Sequence, residues 1–417
     1  MLFLKKRYKE LFLIFLILLI FYRSPYIFLN GRFIAEEGSW WFSNAFSNGP
    51  VSGLFYVYWG SSYFNFWANI SSVVASFFPL EKAPLATVYM ALIVKLYMFF
   101  YIFYSSSEFL KNNFDKSIVS LILLLAPIMT STIWLNTLVS QIYFTIIVIL
   151  IFFQKENSSV LIDKFSNIII FIAGITSILA CFFTPFFLFK YLKKKSSYHF
   201  WRFLSSLIPF IFQLSIFIYS SFLNLTDENR FFLSLNKLVN FFYNVPVKSI
   251  LGTDLSKIIF FDFLKSSYIV IIFGTLIILG FLIYIIFDYF KKNAKDEILF
   301  YLIIFFIFQS ILALYSSKYD QVQGRYAVIP SVLFILSIYR LFQINKNFLR
   351  VIFFCLIVSS ITLGFYEFKI GNKYPQLLSC LEECPNWKEE VNKWKKNNDY
   401  VLKIWDYPRK TMTLSKR

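Results

Sequence analysis

The chain has 417 residues, of which 58% are hydrophobic, 22% aromatic and only 15% charged, with a mean hydropathy of +0.63 and a formal charge of +18. That leaves too little polar surface to cover a soluble domain, so the membrane must be the solvent for most of the chain. Lys and Arg fall in short clusters between apolar runs, the positive-inside pattern of a polytopic membrane protein, and nucleic-acid binding is set aside.

Runs of about twenty apolar residues mark spanning helices. Lys5, Lys6, Arg7 and Lys9 precede the run Leu11 to Phe28 and place the amino terminus inside. This run is long, and Ser24 to Asn30 makes a poor small-residue cleavage site, so it reads as a retained first helix. The chain then emerges outside. Tyr63 to Phe78, rich in Asn, Ser and aromatics, is too polar for a lipid-facing span and reads as a half-helix at the outer interface, with Trp59 and Trp67 at headgroup depth. Leu85 to Tyr104 returns inward. Ile118 to Ile133 and Leu138 to Phe153 form a hairpin whose outer turn carries Trp134, Asn136 and Gln141.

Ile168 to Leu179 and Phe182 to Leu192 are each too short to cross, are interrupted at Thr184-Pro185, and have basic flanks on both sides. They read as a broken pair that enters from inside and returns, which requires burial in protein or along a cavity. Phe203 to Phe222 goes outward to an amphipathic outer lobe. Tyr268 to Tyr289, Ile298 to Tyr315, Ala327 to Leu341 and Val351 to Phe365 complete the crossings.

The fold class expected is all-α: about eleven transmembrane helices over residues 1–367, with outer loops at 30–62, 224–265 and 316–326, then an extracytoplasmic tail at 368–417. In the tail, Trp387 to Lys396 reads as a short amphipathic helix and Tyr400 to Tyr407 as extended, the whole folding over the outer mouth as a lid. Cys380 and Cys384 lie three residues apart in the tail, as a disulfide or as two free thiols.

Chemistry concentrates in RFIAEEGSWWF, Arg32 to Phe42, directly after the first run. Unpaired acids beside hydrocarbon are expensive and are kept for function more often than for packing. His199 is the chain's one histidine and falls beside the Lys193 cluster, on the inner side, so a Ser-His-Asp triad at the outer face is excluded and zinc is disfavoured. The base must then be a carboxylate, a tyrosine or a lysine, with Glu36 and Glu37 leading. Neighbours on a helix point about 100° apart, so one of the two is expected to aim into a site while the other orients it or meets a basic partner. A solvated pair capping a helix from Ser39 is the competing reading.

A second constellation, Lys318, Asp320, Gln323, Arg325 and Tyr326, occupies the late outer loop. Arg325 stands at the mouth of a span, where a guanidinium can pair bidentately with phosphate or merely anchor the helix end. Trp40, Trp41, Tyr56, Tyr58, Trp59 and Tyr63 could stack on sugars, and Trp405 with Tyr407 in the tail could close over the site; an interfacial aromatic belt is the competing role for most of them. The candidate substrate-binding set is Arg32, Trp40, Tyr63, Asn136, Gln141, Lys318, Gln323, Arg325, Tyr326 and Trp405.

An early outer-loop acidic pair, an interfacial half-helix, short broken helices and a late Arg325-Tyr326 before a span containing Pro330 together resemble the glycosyltransferase-C superfamily. RFIAEEG, CPNWKEEVNKW and IWDYP are more closely similar to a group of bacterial membrane proteins related to those transferases. The resemblance implies an inverting enzyme of the bacterial cytoplasmic membrane that moves a sugar from a polyprenyl-phosphate donor to an extracytoplasmic glycan, lipid or protein. It implies Glu36 or Glu37 as base and Arg325 on the lipid phosphate. No cofactor is implied; a divalent metal stays open. Many members carry Asp in the acidic pair where this chain has two Glu. The rivals are a polysaccharide polymerase or ligase, and a transporter or flippase of lipid-linked glycans, which should carry internal repeats and mid-membrane charge. No repeat is found, and Lys95 is the main charge inside a span.

Overall fold

The structure is a computed structural model and describes residues 7–125, 134–156, 158, 161–225, 232–259, 276, 280, 283, 287, 296–317, 322, 324–369, 385–405 and 410–415. These are overwhelmingly helical. The principal helices are α1 (Tyr8–Arg23), α2 (Phe66–Ser76), α3 (Ala83–Tyr104), α4 (Asn113–Leu125), α5 (Ser140–Phe152), α6 (Ser166–Thr176), α7 (Thr184–Lys194) and α8 (Ser197–Phe222). They continue as α9 (Leu235–Phe242), α10 (Lys248–Lys257), α11 (Glu297–Ser316), α12 (Arg325–Ile344), α13 (Asn347–Lys369) and α14 (Trp387–Lys396). Strands β1 (Val57–Tyr58) and β2 (Tyr63–Phe64), and β3 (Leu402–Lys403) and β4 (Thr411–Met412), form two small antiparallel pairs.

Among the described residues, five helices are long and apolar enough to cross a membrane: Leu80–Tyr104, Ser197–Phe222, Glu297–Ser316, Arg325–Ile344 and Phe348–Phe368. The expected span Tyr268 to Tyr289 lies almost wholly outside the described residues, as do residues 126–133 of the first hairpin and Cys380 and Cys384.

The expected first helix, Leu11 to Phe28, is in fact broken. Helix α1 ends at Arg23, Ser24 is extended (φ −156°, ψ 83°), and Pro25 starts a separate short helix, Pro25–Asn30. Proline lacks an amide hydrogen and drives the residue before it out of helical geometry, so Ser24-Pro25 stops one helix and seeds the next. The expected broken pair is three pieces, α6, Ile178–Cys181 and α7, with Ser177 capping the middle one at the Ala180 amide.

Internal packing divides the chain into two units. Unit 1 is Met1–Lys116, Ser131–Asp227 and Lys373–Arg417; unit 2 is Ser117–Thr130 and Glu228–Asn372. In unit 1, α3 packs on α2 and α5, and α6 packs on α5 and α8. The carboxy-terminal segment belongs to this unit's core: Trp387, Val391, Trp394, Leu402, Ile404, Met412 and Leu414 are buried with Phe33, Phe42, Leu80 and Ala83. The Trp387 indole donates to the Leu80 carbonyl at 2.8 Å and Ser43 donates to that of Thr413 at 2.7 Å. A hinged lid would keep a hydrated underside, whereas this segment is a packed wall.

In unit 2, α12 packs against α11 and α13, and α10 against α13. Arg340 pairs bidentately with Asp296, at 2.6 and 3.2 Å, and buried Lys237 donates to the carbonyls of Phe232 and Ser317, both at 2.8 Å.

Candidate functional site

Two loops of unit 1 meet at Glu37. Gly31, at φ +68°, ends the helix Pro25–Asn30 where a Cβ would lie 2.6 Å from the Leu85 amide nitrogen, so only glycine lets the chain turn against α3 there. Arg32 thereby enters the interior. Phe33 and Ala35 then bracket Trp405: the Trp405 amide donates to the Phe33 carbonyl at 3.1 Å, and the Ala35 amide donates to the Trp405 carbonyl at 3.2 Å. Ala35 itself is left-handed at φ +48°. After it the chain winds into a π-helix, Glu37–Phe42, a geometry frequent at functional positions.

The second loop is the turn Trp134 to Thr137. Leu135 is also left-handed, at φ +48°, and the Asn136 side chain closes the turn by accepting from the Leu138 amide at 2.9 Å. Non-glycine residues in this region are strained and persist where their surroundings hold them, commonly at functional sites. The turn delivers Thr137, whose amide and hydroxyl both donate to Glu37 Oε1, at 2.8 and 2.5 Å. Glu37 is 1% exposed, and its Oε2 has no hydrogen-bond partner among the described residues. Burial pushes its carboxyl above the usual range; the Thr137 hydrogen bonds and the Arg32 charge oppose that shift without cancelling it.

Three cations converge on the same turn, each at most 4% exposed. Arg32 donates to the Trp134 carbonyl at 2.5 Å, with its guanidinium 4.9 Å from the Trp405 ring centre. Arg23, the last residue of α1, lies 4.3 Å over the Trp134 ring. Lys95, midway along α3, places its ammonium 3.5 Å from the Trp134 ring centre and 5.2 Å from that of Tyr143. Aromatic faces attract such cations but do not replace their lost hydration. The Lys95 ammonium forms no hydrogen bond within the described residues, and the buried Tyr143 hydroxyl has no partner either. Buried cations, an unmatched hydroxyl and a carboxylate with one open oxygen suit an anionic ligand that also carries hydroxyl groups.

Of the sequence-derived residues, Arg32, Glu37, Asn136 and Trp405 come together here. Glu36 turns away and pairs with Lys410 at 3.3 Å, both half-buried. Trp40 is 44% exposed and packs on Tyr58, which is paired with Tyr63 across the β1–β2 hairpin. Gln141 is half-buried in the first turn of α5. Arg325 and Tyr326 belong to unit 2, where Arg325 is exposed at the start of α12 with its guanidinium 5.4 Å from the Tyr326 ring centre. Lys318 and Gln323 lie outside the described residues. Among the described residues, no three His, Cys, Asp or Glu side chains gather in a way that could hold a metal.

Comparison with family models, curated proteins and solved structures gives no match. The geometry therefore carries the functional reading.

Residue-by-residue reading of the sequence passes over Arg23 and Thr137 and takes Lys95 only as an exception inside a span. The available signal was charge: a lysine and an arginine within apolar runs, where each costs several kcal/mol unless used, roughly 2.5–3.5 on insertion scales. A second buried polar cluster, at the carboxyl end of α3, is structural. Its cations cap helix ends: Lys116 on the Phe103 and Ser105 carbonyls at 2.9 Å, Lys190 on Phe152 at 2.6 Å, and Arg202 on Ile151 at 2.9 Å.

Proposed function

We propose that the chain is a membrane glycosyltransferase that moves a sugar from a polyprenyl-phosphate donor to an extracytoplasmic glycan, lipid or protein, with inversion at the anomeric carbon. The observation that carries the reading is Glu37 Oε2, a buried carboxylate oxygen without a partner among the described residues, beside Arg32 and in the loop network on which Arg23 and Lys95 also converge. The acceptor hydroxyl gives its proton to Oε2 as its oxygen bonds to the anomeric carbon. The bond from that carbon to the phosphate oxygen breaks, and the phosphate leaves with the electron pair. Arg23, Arg32 and Lys95 meet the charge that develops on it. The resemblance further implies Arg325 as a ligand of the lipid phosphate, and with it a glycosyltransferase-C fold of about eleven spans in a bacterial cytoplasmic membrane, amino terminus inside and carboxyl terminus outside.

The test uses full-length protein in lipid nanodiscs with polyprenyl-phosphate hexoses, reading acceptor-dependent release of polyprenyl phosphate. Release that Glu37→Gln abolishes supports the reading; release that Glu37→Gln leaves at full rate removes the base. Transport of a lipid-linked glycan is the second reading, favoured by Lys95 midway along a span. It would move the donor between leaflets with its sugar–phosphate bond intact.

A further inference from the structure

The outer-loop segment holds a groove apart from the buried carboxylate. A cavity of about 570 Å³ opens among Trp40, Ser52, Phe55, Tyr56, Tyr58 and Trp59, within the size range of small-molecule sites. The β1–β2 hairpin builds it. Val57 pairs with Phe64 and Tyr58 with Tyr63, which holds the Tyr58 ring 5.5 Å from those of both Trp40 and Trp41. Trp40, Trp59 and Phe55 remain 44%, 38% and 69% exposed, so ring surface stays open even though Trp40 packs on Tyr58 and Trp59 on Tyr219.

The groove's chemistry is neutral. No charged residue occurs anywhere from Gly38 to Phe64, in a chain of net charge +18. Ser52, on the lining, is held by the Asn44 amide, which donates to its carbonyl at 3.1 Å and its hydroxyl at 3.3 Å, and Asn48 donates to Asn44 Oδ1 at 2.7 Å. An anionic lipid headgroup selects Lys or Arg, as the buried site does, and an acyl chain needs no amide and hydroxyl rim. Flat aromatic faces beside neutral amides and hydroxyls match a ligand with apolar C–H faces and uncharged hydroxyl edges.

We propose that this groove binds a neutral oligosaccharide, as the holding site for the non-reacting sugars of a glycan acceptor. The role in transfer rests on the proposed glycosyltransferase reading, whereas the binding itself does not. Trp40 lies in the same π-helix as Glu37, facing outward where Glu37 faces inward. The groove therefore grips the acceptor away from the reacting hydroxyl and acts on KM rather than on kcat.

The experiment is saturation-transfer NMR on the full-length protein in nanodiscs without donor, using maltoheptaose and chitotetraose as neutral probes and an oligogalacturonate as the anionic one. Saturation should reach the neutral oligomers. Trp40→Ala should weaken binding by about tenfold, a typical loss for an exposed aromatic anchor, and Trp40→Tyr should retain most of it. Glu37→Gln should bind as the wild type does, and a wild-type protein that binds the neutral oligomers yet transfers no sugar indicts the transferase reading alone. The groove proposal is overturned if no neutral oligomer binds at millimolar concentration, if Trp40→Ala binds as well as the wild type, or if the oligogalacturonate is preferred. Selective quenching of Trp40 by brominated phospholipid that sugars do not relieve would give the groove to lipid and also overturn it.

Discussion

Thr137 binds Glu37 twice across one hundred positions of sequence, its amide at 2.8 Å and its hydroxyl at 2.5 Å, both on Oε1. One oxygen is thereby fixed and the other left open, which orients the open one without using it. Thr137→Val keeps the shape and the amide bond but deletes the hydroxyl. The expected cost is about 1–3 kcal/mol of stability, because a buried acceptor loses a partner. With one hydrogen bond to the charged form gone, the Glu37 carboxyl should titrate higher still. Thermal unfolding and the acid limb of the rate profile check the two effects together.

The two adjacent acids should part company on mutation. Glu37→Gln is expected to lower transfer by about 10²- to 10⁴-fold, the usual worth of a general base. Glu36→Gln removes a partly exposed pair with Lys410, worth about 0–1 kcal/mol, and should leave transfer within a few fold. Initial rates of both variants in nanodiscs decide it; equal losses would mean that the acids act as a unit.

The raised Glu37 carboxyl has a pH signature in both rate and stability. A base works when ionised, so the rate should fall as pH drops through a midpoint above the usual carboxylate range. For stability the sign is opposite. The folded protein holds this proton more tightly than the unfolded chain does, so the group's contribution is complete below the unfolded value and is lost as pH rises through the folded one. Glu37→Gln should therefore gain melting temperature relative to the wild type as pH rises across that window, and show no such gain below it.

Lys95 should trade stability against function. It is 1% exposed, packed on two aromatic rings and without a hydrogen bond in the described residues. Replacing an unsupported buried charge by an apolar side chain of similar length is commonly stabilising, by about 1–4 kcal/mol in well-packed cases. Lys95→Met should raise the melting temperature and weaken retention of polyprenyl phosphate, read by native mass spectrometry. A variant that loses stability instead would assign Lys95 a packing role.

The legible part of this architecture is the part governed by local pattern. Apolar runs expose helices such as α3, α8 and α13, and Trp387 to Lys396 is amphipathic enough to be seen as α14 before any packing is known. The break at Ser24-Pro25 was equally local, but it is masked by the continuous hydrophobicity on either side. The acidic pair is visible because charge beside an apolar run is costly, yet which acid turns inward depends on the Trp134 to Thr137 turn, remote in sequence. Arg23 and Lys95 meet at the Trp134 ring of that turn, so neither their convergence nor the left-handed Leu135, which is no glycine, leaves a local mark. Unit 1 is assembled from three separate stretches of chain, and no composition shift announces that the last of them closes its core.

That last stretch gives the sharpest contrast between a wall and a lid. Trp405 bridges Phe33 and Ala35 through its backbone and covers Arg32 with its ring, while Tyr26 stacks on it at 6.3 Å. Trp405→Ala should cost about 3–5 kcal/mol, as for large-to-small changes in a packed core, and should strip from the Arg32 guanidinium the ring that covers it. Trp405→Phe keeps an aromatic face and should recover most of both losses. Truncation before Trp387 goes further: it uncovers Phe33, Phe42 and Leu80 together and leaves the Leu80 carbonyl without the Trp387 donor. Melting temperature and transfer should then collapse in parallel, with increased protease sensitivity of the segment 30–62. A hinged lid would behave otherwise, with the truncated chain melting as the intact one does and only turnover lost, because a lid contributes nothing to the core it opens from.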